Sequence, residues 1–385
     1  MHHDDRLHYL DNVRALAMLV GVVFHAALAY SPLVHDHWPT ADAGGSAWVD
    51  VLAWFVHSFR MPLFFVIAGF FAALLVRKRG IAGMLRNRLA RVVLPFMIFL
   101  PLVYGALTWL TTEASASTQN ASPVLAWVKQ VTREQGSLPW VPTLAHLWFL
   151  LYLMCFSVLV WVISTLAWKR LSSWLANLRP WVFIGVAPAL LVPALASVGA
   201  PWPAPDFFLP QLWALVFFGL YFALGYLMFQ RESLLEQLRP MTPFLLVSAL
   251  AAYALFLELL GTRQPSVPMH LVQAALQAYS GLWLTLCFLQ AGRRWLNGRN
   301  RVMRYLADAS YWVYLVHLPI LFAIQYRLLD VAGGWQMKFA VSVVATSVLS
   351  LATYQLLVRN TLIGTLLSGR AWAVPRSPSP ELHCN

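Results

Sequence analysis

The stretch LDNVRALAMLVGVVFH, residues 10–25, has an arginine near one end of an apolar run and a histidine at the other. Arg14 and His25 are eleven residues apart, so about 100° per residue brings them within about 20° of one helix face. At about 1.5 Å per residue they lie about 16 Å apart along the axis, roughly half the hydrocarbon thickness of a bilayer. The stretch therefore predicts a membrane-spanning helix with both ionisable side chains on one side.

The whole chain has the composition of a membrane protein. Of its 385 residues, 60% are hydrophobic and 11% are charged, whereas soluble domains have roughly 45–50% and 25%. Apolar runs of about 20 residues predict an all-α, polytopic membrane protein with about ten transmembrane helices. We place these helices at residues 9–30, 49–76, 92–112, 145–167, 182–199, 211–229, 243–260, 271–290, 308–328 and 336–358. Residues 1–370 are expected to form a single transmembrane domain, and the Pro- and Ser-rich residues 371–385 a flexible cytoplasmic tail.

The basic residues are distributed unevenly between the two sides of these spans. The side that holds both termini has 21 of the 27 Lys and Arg residues, the other side has five, and Arg60 lies within a span. Such an excess marks the cytoplasmic side, so both termini are expected in the cytoplasm. The net charge of +12 therefore reflects topology, and nucleic acid is not an expected partner. The three cysteines are scattered, which predicts neither a disulfide framework nor a metal site.

Ionisable side chains within the predicted spans indicate a functional site, because a charge in hydrocarbon is costly unless it faces a cavity or a partner. Four of them lie near mid-depth and predict one polar cavity, namely His25, His57, Arg60 and His317. Four further residues are candidates for a supporting role. Asp11 can pair with Arg14, and His146 is expected near the outer surface. Asp308 and Tyr311 belong to the ninth span, with Asp308 near its inner end.

A second group of candidates lies just before the third span. Arg88 and Arg91 are three residues apart in RNRLARVVLP, about one helical turn before that span. Clustered guanidinium groups bind phosphates through bidentate, charge-assisted hydrogen bonds, so the pair could hold a phosphorylated cytosolic donor such as coenzyme A. A solvated basic loop on the cytoplasmic side is the other explanation.

Several segments together resemble the acyltransferase 3 family of integral membrane acyltransferases. They are the Arg-x10-His pattern of Arg14 and His25, RMPLFFVIAGFF, RNRLARVVLP and YLVHLP, and the resemblance covers nearly the whole chain. The segments FVHSFRMPLFFVIAGFF, HLWFLLY and DASYWVYLVHLPI are similar to a branch associated with adding succinyl groups to osmoregulated periplasmic glucans. Ala68 stands where a serine is expected in much of the family.

The resemblance implies a function for the cavity. It implies an acyl-CoA donor on the cytoplasmic side, succinyl-CoA or acetyl-CoA, a periplasmic glucan as acceptor, and a catalytic histidine in the first helix, here His25. Neither a permanently bound cofactor nor a metal is expected. The protein is expected in the inner membrane of a bacterium, among membrane lipids, with other proteins of glucan synthesis as candidate partners.

We predict from these residues that Arg14, Arg88 and Arg91 bind the donor and that His25 accepts the proton of the attacking hydroxyl. A positive or hydrogen-bond-donating group must then stabilise the tetrahedral intermediate, and the candidates are Arg60, His57 and His317. Arg60 could instead bind the distal carboxylate of a succinyl group. No serine or cysteine pairs convincingly with a base, which favours direct transfer over an acyl-enzyme.

Two other functions remain open at this level. A transporter or flippase for a glycan or a lipid-linked sugar would also have ten spans, proline-broken helices and mid-membrane charges. A non-catalytic partner of a glucan synthase would explain the spans and the charge asymmetry, but it would leave the polar residues inside the spans without a role.

Overall fold

The computed structural model describes residues 5–139, 141, 143–166, 179–231, 233–260, 266–298 and 300–368. Every regular element within these ranges is helical, and the α-helices lie in chain order. They are α1 (Asp5–Ala27), α2 (Ala47–Arg88), α3 (Leu94–Ser117), α4 (Pro123–Gln135), α5 (Trp148–Leu166), α6 (Pro180–Ala196), α7 (Leu212–Gln230), α8 (Leu234–Leu238), α9 (Thr242–Leu260), α10 (Val267–Trp295), α11 (Arg301–Leu328), α12 (Trp335–Thr353) and α13 (Leu362–Ser368).

The predicted fold class is confirmed, and all ten predicted spans fall on helices: α1, α2, α3, α5, α6, α7, α9, α10, α11 and α12. By length and composition, eight helical stretches of the described residues can cross a membrane. One stretch, Ala47–Ser117, contains both α2 and α3, and the apolar α6 has only 17 residues. These two features account for the difference between eight stretches and ten spans. Residue 167 and the tail 371–385 lie outside the described residues.

The connection between α2 and α3 is helical, although the sequence predicts a loop over residues 77–91. Gly80 interrupts α2 with a φ of 68°, in the left-handed region that glycine adopts without a steric penalty. The chain is helical again up to Arg88 and then forms a π-helical turn, Leu89–Val93, directly before α3. Such π-helical turns are uncommon and frequently lie at functional sites, and this one carries Arg91.

Close contact between the backbones of α2 and α7 forms the centre of the fold. A Cβ atom added at Gly69 would lie 1.9 Å from the carbonyl oxygen of Phe222, and one at Gly225 would lie 1.8 Å from that of Val66. Small residues allow membrane helices to approach in this way. Beside this contact lies a core of aromatic side chains less than 2% exposed: Phe65, Tyr152, Phe156, Phe217 and Phe218.

Candidate active site

A cavity of about 1510 Å³ is lined by residues of α1, α2, α5 and α11. Small-molecule sites commonly occupy about 300–1,000 Å³, so this cavity has room for more than one small substrate. All the candidate site residues identified in the sequence line it: His25, His57, Arg60, His317, Arg14, Arg88, Arg91, Asp11, His146, Asp308 and Tyr311. The fold therefore collects residues from distant parts of the chain into one site.

The two ends of the cavity differ in charge. One end, called the basic end, is lined by seven basic and two acidic side chains: Arg14, Lys78, Arg79, Arg88, Arg91, Arg301 and Arg304, with Asp11 and Asp308. The other, called the tryptophan end, is lined by Trp38, Trp54 and Trp202 and by uncharged neighbours of these residues. Residues of the N-terminal segment and of the region 77–91 line the basic end together.

Three of the histidines, His25, His146 and His317, lie between these two ends, and His57 packs on Trp202 at the tryptophan end. The ring centres of His25 and His317 are 5.3 Å apart, and those of His146 and His317 are 4.9 Å apart. The sequence places His146 near the outer surface, but its side chain is buried inside the cavity wall. The reason is a reciprocal pair of bonds with α11, because His146 Nε2 lies 2.9 Å from the carbonyl oxygen of Tyr314 and the Tyr314 hydroxyl donates to the His146 carbonyl at 2.8 Å.

Hydrogen bonds to main-chain carbonyls assign the proton in three of the four rings. The carbonyl of Trp202 accepts from His57 Nε2 at 2.9 Å, and that of Tyr314 accepts from His146 Nε2 and from His317 Nδ1, each at 2.9 Å. A carbonyl oxygen can only accept a hydrogen bond, so each of these nitrogens carries a proton. The other nitrogen of each neutral ring has a lone pair and can accept a hydrogen bond.

His25 differs from the other three. It has no hydrogen bond to any residue that the structure describes, and its Nδ1 atom is buried without a partner. Its ring faces Trp38 with an angle of 17° between the planes and 6.2 Å between the ring centres. No described residue therefore competes with a substrate for the ring nitrogens of His25.

Arg60 lies next to His25 and also lacks a partner of opposite charge. Its side chain is buried, its Cζ atom lies 4.4 Å from the centre of the Phe24 ring, and no described residue forms an ion pair or hydrogen bond with it. A Cβ atom added at Gly21, one turn before His25 in α1, would lie 2.9 Å from Arg60 Nη1. A buried charge without a partner is costly, so the Arg60 guanidinium is expected to pair with a negative charge on a bound substrate.

The candidates for donor binding lie together at the basic end. Arg14 forms the predicted ion pair with Asp11 at 3.2 Å, and its Nη2 atom donates to the Ala307 carbonyl at 3.3 Å. Arg88 Nη2 lies 3.4 Å from the carbonyl of Ala68, while its Nε atom is buried without a partner. The phenol of Tyr311 donates to the Arg91 carbonyl at 2.9 Å, which supports the π-helical turn. Among the described residues no group of three or more His, Cys, Asp or Glu side chains could hold a metal ion.

Sequence reasoning missed several residues that line the site. Trp38, Trp54 and Trp202 approach the histidines, and Gly21 provides the space for Arg60. The position of Gly21 four residues before His25 places it on the same helix face, which is a signal that could have identified it. No comparable signal marks Trp38 or Trp202, because both belong to segments outside the predicted spans.

Comparison with known proteins identifies the chain's relatives. The acyltransferase domain family matches residues 7–355. Relatives named glucans biosynthesis protein C, from Salmonella typhi and from Salmonella typhimurium, are each 29% identical over 385 residues, which covers 95% of this chain and 95% of each relative. The corresponding protein of Salmonella heidelberg is also 29% identical over the same share. No solved structure matches the chain.

Proposed function

This chain belongs to the acyltransferase 3 family, and we propose that it moves a succinyl group from cytosolic succinyl-CoA to a hydroxyl of a periplasmic glucan. It is a multi-pass membrane acyltransferase, so an acyl donor is its co-substrate. The name of the similar Salmonella proteins supports a glucan as the acceptor. Acetyl-CoA is the alternative donor.

One observation carries the proposal: a single cavity connects the arginines of the basic end, the histidine cluster and the tryptophan end. The basic end suits the phosphates of coenzyme A, since guanidinium groups bind phosphate oxygens in a bidentate manner. We place this end at the cytoplasm of a bacterial inner membrane, as the charge asymmetry favours. The acceptor then enters from the periplasm at the tryptophan end, and the two substrates meet at His25.

His25 acts as the general base in the proposed reaction. It accepts the proton of a glucan hydroxyl while the hydroxyl oxygen bonds to the thioester carbonyl carbon, and the carbonyl oxygen becomes an oxyanion. When the carbon–sulfur bond breaks, the coenzyme A thiolate leaves and takes the proton from His25. The absence of any hydrogen bond between His25 and a described residue supports this assignment, because both substrates can approach its ring. His317, whose Nδ1 proton is held by carbonyls, is the second candidate base.

Arg60 stabilises negative charge in this reaction. Its guanidinium lies beside Gly21, one turn before His25 on the side of the basic end, where a donor thioester would arrive. A cation at the oxyanion lowers the barrier for acyl transfer. The other role for Arg60 is to bind the distal carboxylate of the succinyl group. A residue that stabilises the oxyanion acts on succinyl-CoA and acetyl-CoA alike, whereas one that binds the distal carboxylate acts on succinyl-CoA alone.

An acyl-transfer assay tests the proposal against its rivals. Purified protein is incubated with labelled succinyl-CoA or acetyl-CoA and a glucan, and labelled glucan and free coenzyme A are measured. The proposal expects both products in equal amounts, with succinyl-CoA preferred. A transporter or flippase would move a glycan across proteoliposome membranes without forming an ester. A non-catalytic partner of a glucan synthase would produce neither result.

A further inference from the structure

We propose that the tryptophan end is a binding site for an uncharged sugar ring, in which the indole of Trp38 supplies both a stacking face and a hydrogen-bond donor. This inference rests on the proposed function, since it identifies the part of the cavity that the acceptor occupies. It goes further by specifying the acceptor as a neutral polyhydroxyl compound that bears no phosphate where it binds.

The position of Trp38 beside the proposed base is the first observation. The planes of the Trp38 and His25 rings are inclined by only 17°, with 6.2 Å between their centres. A sugar ring against the exposed part of this indole has its hydroxyls next to His25. Aromatic faces bind the C–H-rich faces of sugars because these faces are apolar, while the ring hydroxyls around them stay available for hydrogen bonds.

Unsatisfied polar atoms in the same region are the second observation. The Trp38 Nε1 atom is buried without a hydrogen-bond partner, and so are the Nδ1 atoms of His25 and His57. Buried polar groups in proteins are normally paired, so each unpaired group needs an explanation. A polyol supplies both donors and acceptors and would satisfy the indole N–H and the imidazole nitrogens together.

The charge of this end excludes the main alternatives. The cavity-lining residues that the structure describes here include Leu33, Val34, His37 and the segment 200–204, and no Asp, Glu, Lys or Arg is among them. A phosphorylated, lipid-linked sugar would find no Lys or Arg among these residues to pair with its phosphate. An acyl chain would leave the indole N–H of Trp38 unpaired. A neutral sugar has neither problem.

Trp38 is held firmly, as a binding residue must be if it is to lose little entropy when the ligand arrives. Its segment is tied down by three hydrogen bonds to other parts of the chain. The Ser122 hydroxyl donates to the Pro39 carbonyl, the Thr40 hydroxyl donates to Gln325 Oε1, and Lys338 Nζ lies in a buried ion pair with Asp42 Oδ2, each at 2.7 Å. The Trp38 and Phe322 rings also pack edge to face, with 5.6 Å between the ring centres.

Sugar binding without any donor tests the inference. The full chain in nanodiscs is titrated with a neutral glucose oligosaccharide, and with the same oligosaccharide bearing a phosphate monoester, and binding is followed by saturation-transfer NMR. Trp38→Ala removes the ring and the N–H, whereas Trp38→Phe keeps an aromatic face and removes only the N–H. Trp48→Ala is the matched control, because Trp48 is 74% exposed and does not line the cavity.

We expect Trp38→Ala to weaken binding of the neutral oligosaccharide at least tenfold, and Trp38→Phe to weaken it about two- to tenfold, the effect of one lost hydrogen bond. Trp48→Ala should bind as the unsubstituted protein does, and the phosphorylated oligosaccharide should bind more weakly. Thermal unfolding confirms that each variant is folded.

Several results would overturn the inference: no binding of the oligosaccharide to the unsubstituted protein, full affinity in folded Trp38→Ala, or tighter binding of the phosphorylated form. The proposed function fails separately. Trp38-dependent sugar binding without any acyl transfer would refute the proposed reaction and leave the sugar site intact. Normal acyl transfer with an unchanged acceptor KM in Trp38→Ala would refute the sugar site and leave the reaction intact.

Discussion

Gly21→Ala should move the guanidinium of Arg60 without removing it. The added methyl group would lie 2.9 Å from Arg60 Nη1, and the next nearest atom, Arg60 Cδ, would be 3.8 Å away. Favourable contacts between heavy atoms begin near about 3.5 Å, so the guanidinium must shift by about 0.6 Å or more. Because Arg60 is buried and packed on Phe24, such a shift also changes its contact with the Phe24 ring.

The expected cost falls on catalysis and not on folding. Alanine is better than glycine in a helix interior by about 0.5–1 kcal/mol, and this gain offsets the adjustment of a flexible side-chain end. Catalytic groups must be held within about 0.5 Å of their productive position, and a displacement of about 1 Å can cost about a hundredfold in rate. We therefore expect kcat to fall about 10- to 100-fold, with a free energy of unfolding within about 1 kcal/mol of the original.

The assay is succinyl transfer to the glucan at saturating donor, together with thermal unfolding of each protein. Gly105→Ala is the matched control, since Gly105 also lies within a membrane helix, α3, and a Cβ atom there meets nothing within 4 Å. The control should retain full activity. Full activity in folded Gly21→Ala would refute the placement of Arg60 at the reacting centre, and an equal loss in Gly105→Ala would show that the effect is unspecific.

Substitutions at His25, at Arg60 and at the donor site test the reaction, and a labelled cysteine tests the topology. His25→Ala and His25→Gln should both fold, bind coenzyme A and lose acyl transfer by at least about a hundredfold; near-normal turnover in His25→Gln would assign the base to another histidine. Arg60→Gln should slow transfer from succinyl-CoA and acetyl-CoA alike, by about 10²–10³, if it stabilises the oxyanion; a loss confined to succinyl-CoA would assign it to the distal carboxylate. Arg88→Ala combined with Arg91→Ala should raise the donor KM more than it lowers kcat, and unchanged donor affinity in folded protein would contradict a phosphate site. A cysteine introduced at the exposed Ala82, with the native cysteines replaced by serine, should be labelled from the cytoplasmic side, and labelling only from the periplasm would reverse the topology.

The spans and the ionisable residues that line the cavity could be predicted from the sequence because both depend on local chemistry. A membrane helix is recognised from about 20 apolar residues, and its sidedness from the basic residues that flank it. A histidine or arginine inside such a span must face a cavity or a partner, so His25, Arg60 and His317 could be assigned to one site before their helices were placed.

Tertiary packing alone decided how the site is completed. The hydrogen bonds with Tyr314 turn His146 inward, and a buried ion pair with Asp42 holds Lys338, which the sequence places near the start of the tenth span. Trp38 reaches His25 only because its segment folds back over the end of the cavity. These contacts join residues far apart in the chain, and the periodicity of a single helix carries no information about which loop will cover its end.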